Sequence, residues 1–405
     1  MKIVLAYSGG LDTSVALKWL QDQYSAEVIA FCADLGQIES LEDVKERATA
    51  AGASKIYVEN LREDFLKNYA FKTLKAGAAY ENRYLLAAPL SRPLIAKRLA
   101  EIAKYENADA VAHGATGKGN DQVRFYSSII AQNPNLKIIS PAIEWDIKSR
   151  DAEIEYAQKH NINIPITLSS PYSIDTNIWG TSIECGPLDD LTLPPRDEVY
   201  QITKSPQMAL NTPQKIRIKF MYGVPISIND EILNPVELVA ALNKYGADHG
   251  IGRIDILENR VVGIKTRGIY ESPAATILHF AHKELDDLVL DRDTLHFKSL
   301  LSQKYSEIVY YGLWFSPLRE ALDAFIDYTQ QNVIGTVDIQ LFKGNLTVLS
   351  RESANAMYTY DLSTYDAHDK FDHTTGAGFN YIWSMPIRIN SLRKQNKVPN
   401  YNNFK

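Results

Sequence analysis

Residues Lys2–Ser14 read KIVLAYSGGLDTS, and this stretch decides the fold. Ile3–Tyr7 is an apolar run that reads as a buried strand. Ser8-Gly9-Gly10 breaks it, and a helix is predicted over Thr13–Gln21, with Val15, Ala16, Trp19 and Leu20 on one face. Two glycines take backbone conformations that other residues resist. Their N–H groups can therefore converge on an anion within Ser8-Gly9-Gly10-Leu11-Asp12-Thr13-Ser14, with a helix N-terminus behind them. Ser8, Thr13 and Ser14 add hydroxyl donors. No lysine follows, so the loop is not a Walker A motif. It also lacks the spacing of a dinucleotide fingerprint. Asp12 would repel a phosphate unless it binds Mg²⁺ or caps the helix.

Outward from this unit the pattern repeats. Strands are predicted at Glu27–Ala33, Lys55–Glu59, Ala108–His113 and Lys137–Pro141. Ser40, with Asp43 three positions on, reads as a capping box opening a helix. A further helix is expected over about Asn120–Ala131. This rhythm means α/β, with a parallel sheet and crossover helices on both faces. The following part reads as α+β. Ile216, Ile218 and Phe220 alternate with charged residues, and hairpins are expected around Asn259-Arg260 and Gly344-Asn345. Asn234-Pro235, Ser272-Pro273 and Ser316-Pro317 each read as a cap and first-turn proline. Gly246 reads as the stop of the helix over Val236–Tyr245. The expected organisation is a nucleotide-binding domain over 1–165, an α+β domain over 166–360, and a helical C-terminal tail over 361–405 that docks on another subunit.

The chain has 405 residues, which suggests two to four domains. No run of about 18 apolar residues occurs, so no helical membrane span is expected. The start lacks the pattern of a secretory signal. With only two cysteines, Cys32 and Cys185, this points to a cytoplasmic protein. The net charge of −6 disfavours nucleic acid as a partner.

A second segment carries more chemistry: His113–Phe125, HGATGKGNDQVRF. Its glycines let a ligand lie against backbone. Asn120 and Arg124 are four apart, hence on one helical face, with Asp121 beside them. An amide, a carboxylate and a guanidinium at a helix N-terminus suit an amino acid. Arg124 would take its carboxylate and Asp121 its ammonium.

The Ser8–Ser14 loop resembles the PP-loop of the ATP pyrophosphatases. Together with His113–Phe125 it resembles the argininosuccinate synthase family, and the resemblance runs through nearly the whole chain. Further matching stretches are Phe31–Gln37, Arg92–Lys97, Tyr172–Ser182 and Arg253–Pro273. The resemblance implies a ligase that joins citrulline and aspartate with ATP and Mg²⁺, through a citrullyl-AMP intermediate. It implies ATP contacts at Ala6, Tyr7, Ser8, Gly9, Gly10, Leu11, Asp12, Thr13, Ser14, Ala33 and Gly114. It implies aspartate contacts at Thr116, Asn120 and Asp121. Citrulline contacts are implied at Tyr84, Asn120, Arg124, Ser173, Ser182, Glu258 and Tyr270. A homotetramer is implied as well. Asp12, Asp121 and Arg124 are the candidate catalytic residues, with Asp121 or solvent receiving the aspartate proton.

Two positions depart from the family pattern. Ala88-Pro89 stand where hydroxyl residues are usual, with Ser91 as a candidate replacement, and Tyr126 replaces a glutamate. Two other readings are a tRNA-modifying PP-loop enzyme, which would need a basic stripe, and a silent member that binds without turnover. No resident metal site is assigned: His279 and His282 read as a solvated or capping pair. His113 reads equally as a strand terminus or as a group near the phosphates.

Overall fold

The computed structural model describes residues 1–37, 39–147, 149–162 and 171–395. The opening strand β1 (Lys2–Ala6) runs through the centre of a five-stranded sheet. Helix α1 (Leu11–Tyr24) follows it, then β2 (Glu27–Asp34), α2 (Leu41–Ala50), β3 (Lys55–Asn60), α3 (Ala87–Tyr105), β4 (Ala110–His113), α4 (Asp121–Gln132), β5 (Lys137–Ile139) and α5 (Arg150–Lys159). The strand order is β3-β2-β1-β4-β5 and every pairing is parallel. Ile3, Val4 and Leu5 are all fully buried because helices cover both faces. Ile3 and Leu5 pack with Val15, Leu17 and Leu20, while Val4 packs with Leu99, Ile102 and Ile129. The alternation of one strand thus divides its residues between two cores.

The expected domain boundary at 165 lies in 163–170, outside the described residues. Beyond it come β6 (Ser173–Asn177), β7 (Gly180–Glu184), β8 (Gln214–Met221), β9 (Val224–Ile228), β10 (Glu231–Ile232) and α6 (Pro235–Asp248). Then follow β11 (Arg253–Asn259), β12 (Lys265–Glu271), α7 (Pro273–Val289), α8 (Arg292–Tyr310), α9 (Pro317–Thr329), β13 (Gly335–Phe342) and β14 (Asn345–Glu352). They make two antiparallel sheets, β10-β9-β8-β13-β14 and β11-β12-β7-β6. Ile216, Ile218 and Phe220 point into the core as their alternation predicts. One apolar cluster joins Phe65, Leu74 and Leu90 to Trp179, Ile218 and Leu278, so residues 1–355 form a single compact unit. Residues 356–405 form a second, with helices α10 (Thr375–Trp383) and α11 (Met385–Lys394).

Several local expectations are revised. The Asn234 and Ser316 side chains cap their helices, accepting from the N–H groups of Glu237 at 3.0 Å and Arg319 at 3.3 Å. Those of Ser40 and Ser272 make no capping bond. Gly246 does not stop its helix, which continues to Asp248. A Cβ there would lie 2.7 Å from Pro273 Cβ, so the glycine serves the close approach of α6 to α7. The second strand of the 253–271 hairpin starts only at Lys265, because 260–264 closes its own turn through Arg260 N–H to Ile264 C=O at 2.9 Å. His282 is not solvated: it is 1% exposed and bonded to Gln330 at 2.8 Å, beside Asp286.

Candidate active site

The two glycine-rich segments follow β1 and β4, which are neighbours in the sheet although two strands lie between them in the chain. The strand order reverses between them, and such a switch point opens a crevice at the carboxyl ends of parallel strands. A Cβ on Gly114 would lie 3.1 Å from Thr13 Cγ2, so the loops meet there.

In the first loop Gly9 has φ +83°, and a Cβ on it would strike Arg47 Nη2 at 2.8 Å and Val44 at 3.0 Å. No side chain caps α1 at Gly10. Its first-turn N–H groups have no intrahelical partner and could donate to an anion. The Thr13 hydroxyl accepts from Ser8 N–H at 3.3 Å and lies 3.1 Å from Ser8 Oγ. Tyr7 and Ser14 turn inward and share a buried hydrogen bond of 2.8 Å, so they brace the loop. Ala6 ends β1, and the Ala33 carbonyl near the end of β2 accepts from Gln37 Nε2 at 3.1 Å. Asp12 is exposed, and Glu153 of α5 lies against it. Burial, then the charge and hydrogen bond of Asp12, push the Glu153 carboxyl up to about 8. Sequence reasoning missed Glu153 and Arg47, whose Nε is buried with no partner among the described residues.

The second loop opens onto a cleft of about 730 Å³. Thr116, Asn120, Asp121 and Arg124 line it from α4 and the loop before it. Tyr84, Ser173, Ser182, Glu258 and Tyr270 line it from elsewhere in the chain. All nine residues expected to hold the amino acids therefore face one space. The β11-β12-β7-β6 sheet supplies one wall. Its register sets Tyr270 opposite Ser182 and Ser182 opposite Asp175, a row across three strands, with Glu184 opposite Ser173 alongside. Tyr84 stacks on Tyr270 with ring centroids 3.9 Å apart and lies 3.4 Å from the Ser182 hydroxyl.

The charges of the cleft form a chain of alternating sign. Arg92 Nη2 donates to Asp175 and to Asp121, both at 2.7 Å. Asp121 accepts in turn from Arg124 Nη1 at 2.8 Å. Burial opposes the Asp121 charge, but Arg92 and Arg124 outweigh it and hold its carboxyl at about 2. Arg124 Nε donates to the Tyr310 carbonyl at 2.9 Å. Its Nη2 is buried with no partner among the described residues. Glu258 is 2% exposed and accepts from the Tyr270 hydroxyl at 2.9 Å, and burial raises its pKa. Burial also raises Glu184, against the pull of Arg260.

Asn120 spends much of its amide on the scaffold. Its Oδ1 accepts from Val261 N–H at 2.9 Å and its Nδ2 donates to the Tyr310 hydroxyl at 2.8 Å. Ala88 turns a methyl group to the cleft. Ser91 does not replace the missing hydroxyl, since it donates to the Ala88 carbonyl at 2.8 Å and accepts from Arg92 Nη1. Tyr126 is 56% exposed and outside the cleft. His113 ends β4 as a bonded terminus: Nδ1 accepts from Ala115 N–H at 3.3 Å and Nε2 meets Ser140 Oγ at 3.1 Å. Burial pushes it down to about 4, so it stays neutral. Arg92, Asp175, Glu184, Arg260 and Tyr310 line the cleft but were not singled out. Arg92, Asp175 and Arg260 lie within the matching stretches; Tyr310 carried no signal in the sequence around it.

The profile of the Arginosuccinate synthase N-terminal HUP domain matches residues 2–163, and that of the Arginosuccinate synthase C-terminal domain matches 172–390. The argininosuccinate synthase of Rhodococcoides fascians is 54% identical over 96% of this chain and 98% of its own length. That of Carboxydothermus hydrogenoformans is 49% identical over 97% and 98%. No described helix is long and apolar enough to cross a membrane. With both domain profiles matched in order and relatives aligned along nearly their whole length, the chain belongs to the argininosuccinate synthase family, ligases of arginine biosynthesis.

Proposed function

We propose that the cleft binds citrulline and aspartate together, with Arg124 as the anchor of the citrulline carboxylate. The observation that carries this reading is that Arg124, which lines the cleft, has an Nη2 buried with no hydrogen-bond partner among the described residues. An unmade bond to a buried charged group is costly, so the group is there for a ligand. Glu258 takes the citrulline ammonium, and the hydroxyls of Tyr84, Ser173, Ser182 and Tyr270 order the rest of the molecule. Asp121, with Thr116 beside it, holds the aspartate ammonium.

ATP lies along the crevice, its phosphates on the Ser8–Ser14 loop and its nucleoside toward Ala33 and Gly114. The ureido oxygen of citrulline attacks the α-phosphorus and pyrophosphate leaves. The aspartate amine then attacks the activated carbon and AMP departs. The amine must first lose a proton, and Asp121 at about 2 is too weak a base to take it. The proton goes to solvent, and the work of the chain is positioning and charge stabilisation. The Asp12–Glu153 pair fits a divalent cation, since two carboxyls side by side suit a hard metal ion. When bound there, Mg²⁺ would neutralise phosphate charge.

Domain limits at 1–165, 166–360 and 361–405, a cytoplasmic location and a homotetramer complete the reading. The exposed Phe379, Ile382, Trp383 and Ile387 of the tail are the faces for other copies. Deletion of residues 356–405 should lower the mass seen by sedimentation.

The test of the cleft is Arg124→Ala. The citrulline KM should rise about 100-fold, equivalent to about 3 kcal/mol, with the ATP KM little changed. Equal effects on both would remove Arg124 from the citrulline site.

A further inference from the structure

The pairing of Arg124 with Asp121 is incomplete in an informative way. Arginine and carboxylate prefer two parallel bonds. Here the two residues, three apart on α4, make one: Nη1 to Oδ1 at 2.8 Å. The Arg124 Nη2 has no hydrogen-bond partner among the described residues, although the side chain is only 5% exposed and its guanidinium lies over the Tyr310 ring at 4.8 Å from the centroid. A buried donor this close to a carboxylate has every electrostatic reason to claim its second oxygen. That oxygen is occupied. Asp121 Oδ2 accepts from Arg92 Nε at 2.9 Å and Nη2 at 2.7 Å. Arg92 is itself fixed from two other sides, by Asp175 at 2.7 Å and by the Ser91 hydroxyl at 2.8 Å.

We propose that Arg92 is a positioning residue for citrulline: by holding Oδ2 of Asp121, it stops that carboxylate from closing on Nη2 of Arg124 and keeps this donor free for the substrate carboxylate. Without Arg92, the Asp121 side chain turns to take both terminal nitrogens of Arg124, and the anion site is filled from within the protein. Asp175 serves the same end one step further along, by orienting Arg92. The inference rests on the assignment of Arg124 to citrulline.

The experiment is a double-mutant cycle read by calorimetric citrulline binding and by KM. Arg92→Met should weaken citrulline about tenfold, roughly 1.4 kcal/mol, with ATP affinity within about twofold. Arg92→Lys keeps a charged donor for Oδ2 and should recover most of the loss. The cycle separates competition from simple loss of packing. Asp121→Asn offers a single acceptor oxygen and cannot close on Arg124 in two bonds. In that background Arg92→Met should change citrulline affinity by less than about threefold. Loss of a mere cross-link between α3, α4 and β6 would act equally in both backgrounds and overturns the proposal, as does an Arg92→Lys protein no better than Arg92→Met. If Arg124→Ala leaves citrulline affinity unchanged, the reading of the site fails instead. If Arg124→Ala acts and Arg92→Met does not, this inference alone falls.

Discussion

Asn120 and Tyr310 stand 190 positions apart in sequence, and the amide Nδ2 of the first donates to the hydroxyl of the second at 2.8 Å. Through the same Tyr310, whose main-chain carbonyl receives Arg124 Nε, the end of α8 fixes the residue before α4 and one residue within it. The tyrosine ring also stacks on Tyr80 with centroids 3.6 Å apart. The start of the helix that lines the cleft is thus held by a segment far away in the chain.

Tyr310→Phe should keep the stack and lose the hydroxyl. The Asn120 donor is then left buried without a partner, at a cost of about 1–3 kcal/mol in denaturant melts. The citrulline KM should rise while the ATP KM holds. A variant as stable as the parent would show that Asn120 finds another acceptor.

Glu153 binds a proton in the folded protein across a range where the unfolded chain has released it. Its folded pKa of about 8 stands above the usual 4.5, so its contribution to stability falls as pH rises through that window. Without ligands, the melting temperature of the parent should therefore decline more steeply from pH 5 to 8 than that of Glu153→Gln. Binding of Mg·ATP near pH 7 should release about one proton per site. Calorimetry in buffers of different ionisation enthalpy measures it, and Glu153→Gln should release none. Equal proton release in both proteins would separate Glu153 from the cation.

His113 has the opposite sign. Its pKa drops from 6.5 to about 4 on folding, so the stability it contributes is complete above about pH 6.5 and lost as pH falls toward 4. At 1.36 kcal/mol per unit this amounts to about 3 kcal/mol. Denaturant melts at pH 7 and pH 4 should show the parent losing more stability than His113→Asn. A parallel loss in both would clear His113 of the effect.

Gly9→Ala forces a left-handed backbone on a residue with a Cβ, costing about 1–2 kcal/mol. It also presses on Arg47 and Val44. Pyrophosphate release should fall well over tenfold by way of the ATP KM, with the tertiary fold retained by circular dichroism. Unchanged ATP affinity would show that the loop does not hold phosphate through this turn.

The nucleotide half was legible because its signals are local. Residues 3–7 must be a buried strand whatever lies around them, and Ser8-Gly9-Gly10 must turn. Boundaries differ by one to three residues, as where the helix expected over Thr13–Gln21 spans Leu11–Tyr24. Ser40 and Ser272 looked like capping residues yet make no side-chain caps, since a side-chain bond depends on a rotamer that neighbours select. Gly246 was misread as a helix stop because its reason, the approach of Pro273, lies in another element.

The sequence alone determined the α/β order, the glycine turn after β1 and the run from Asn120 to Arg124, because a turn and one helical face are built from adjacent residues. Only the tertiary structure decided which side chains share the cleft and in what state of charge. Strand register sets Tyr270, Ser182 and Asp175 in one row. Packing of α3 against α4 places Arg92 on Asp121, which turns a candidate base into a fixed anion. Pairing energies depend on distance and burial, and neither is written in the order of residues along the chain.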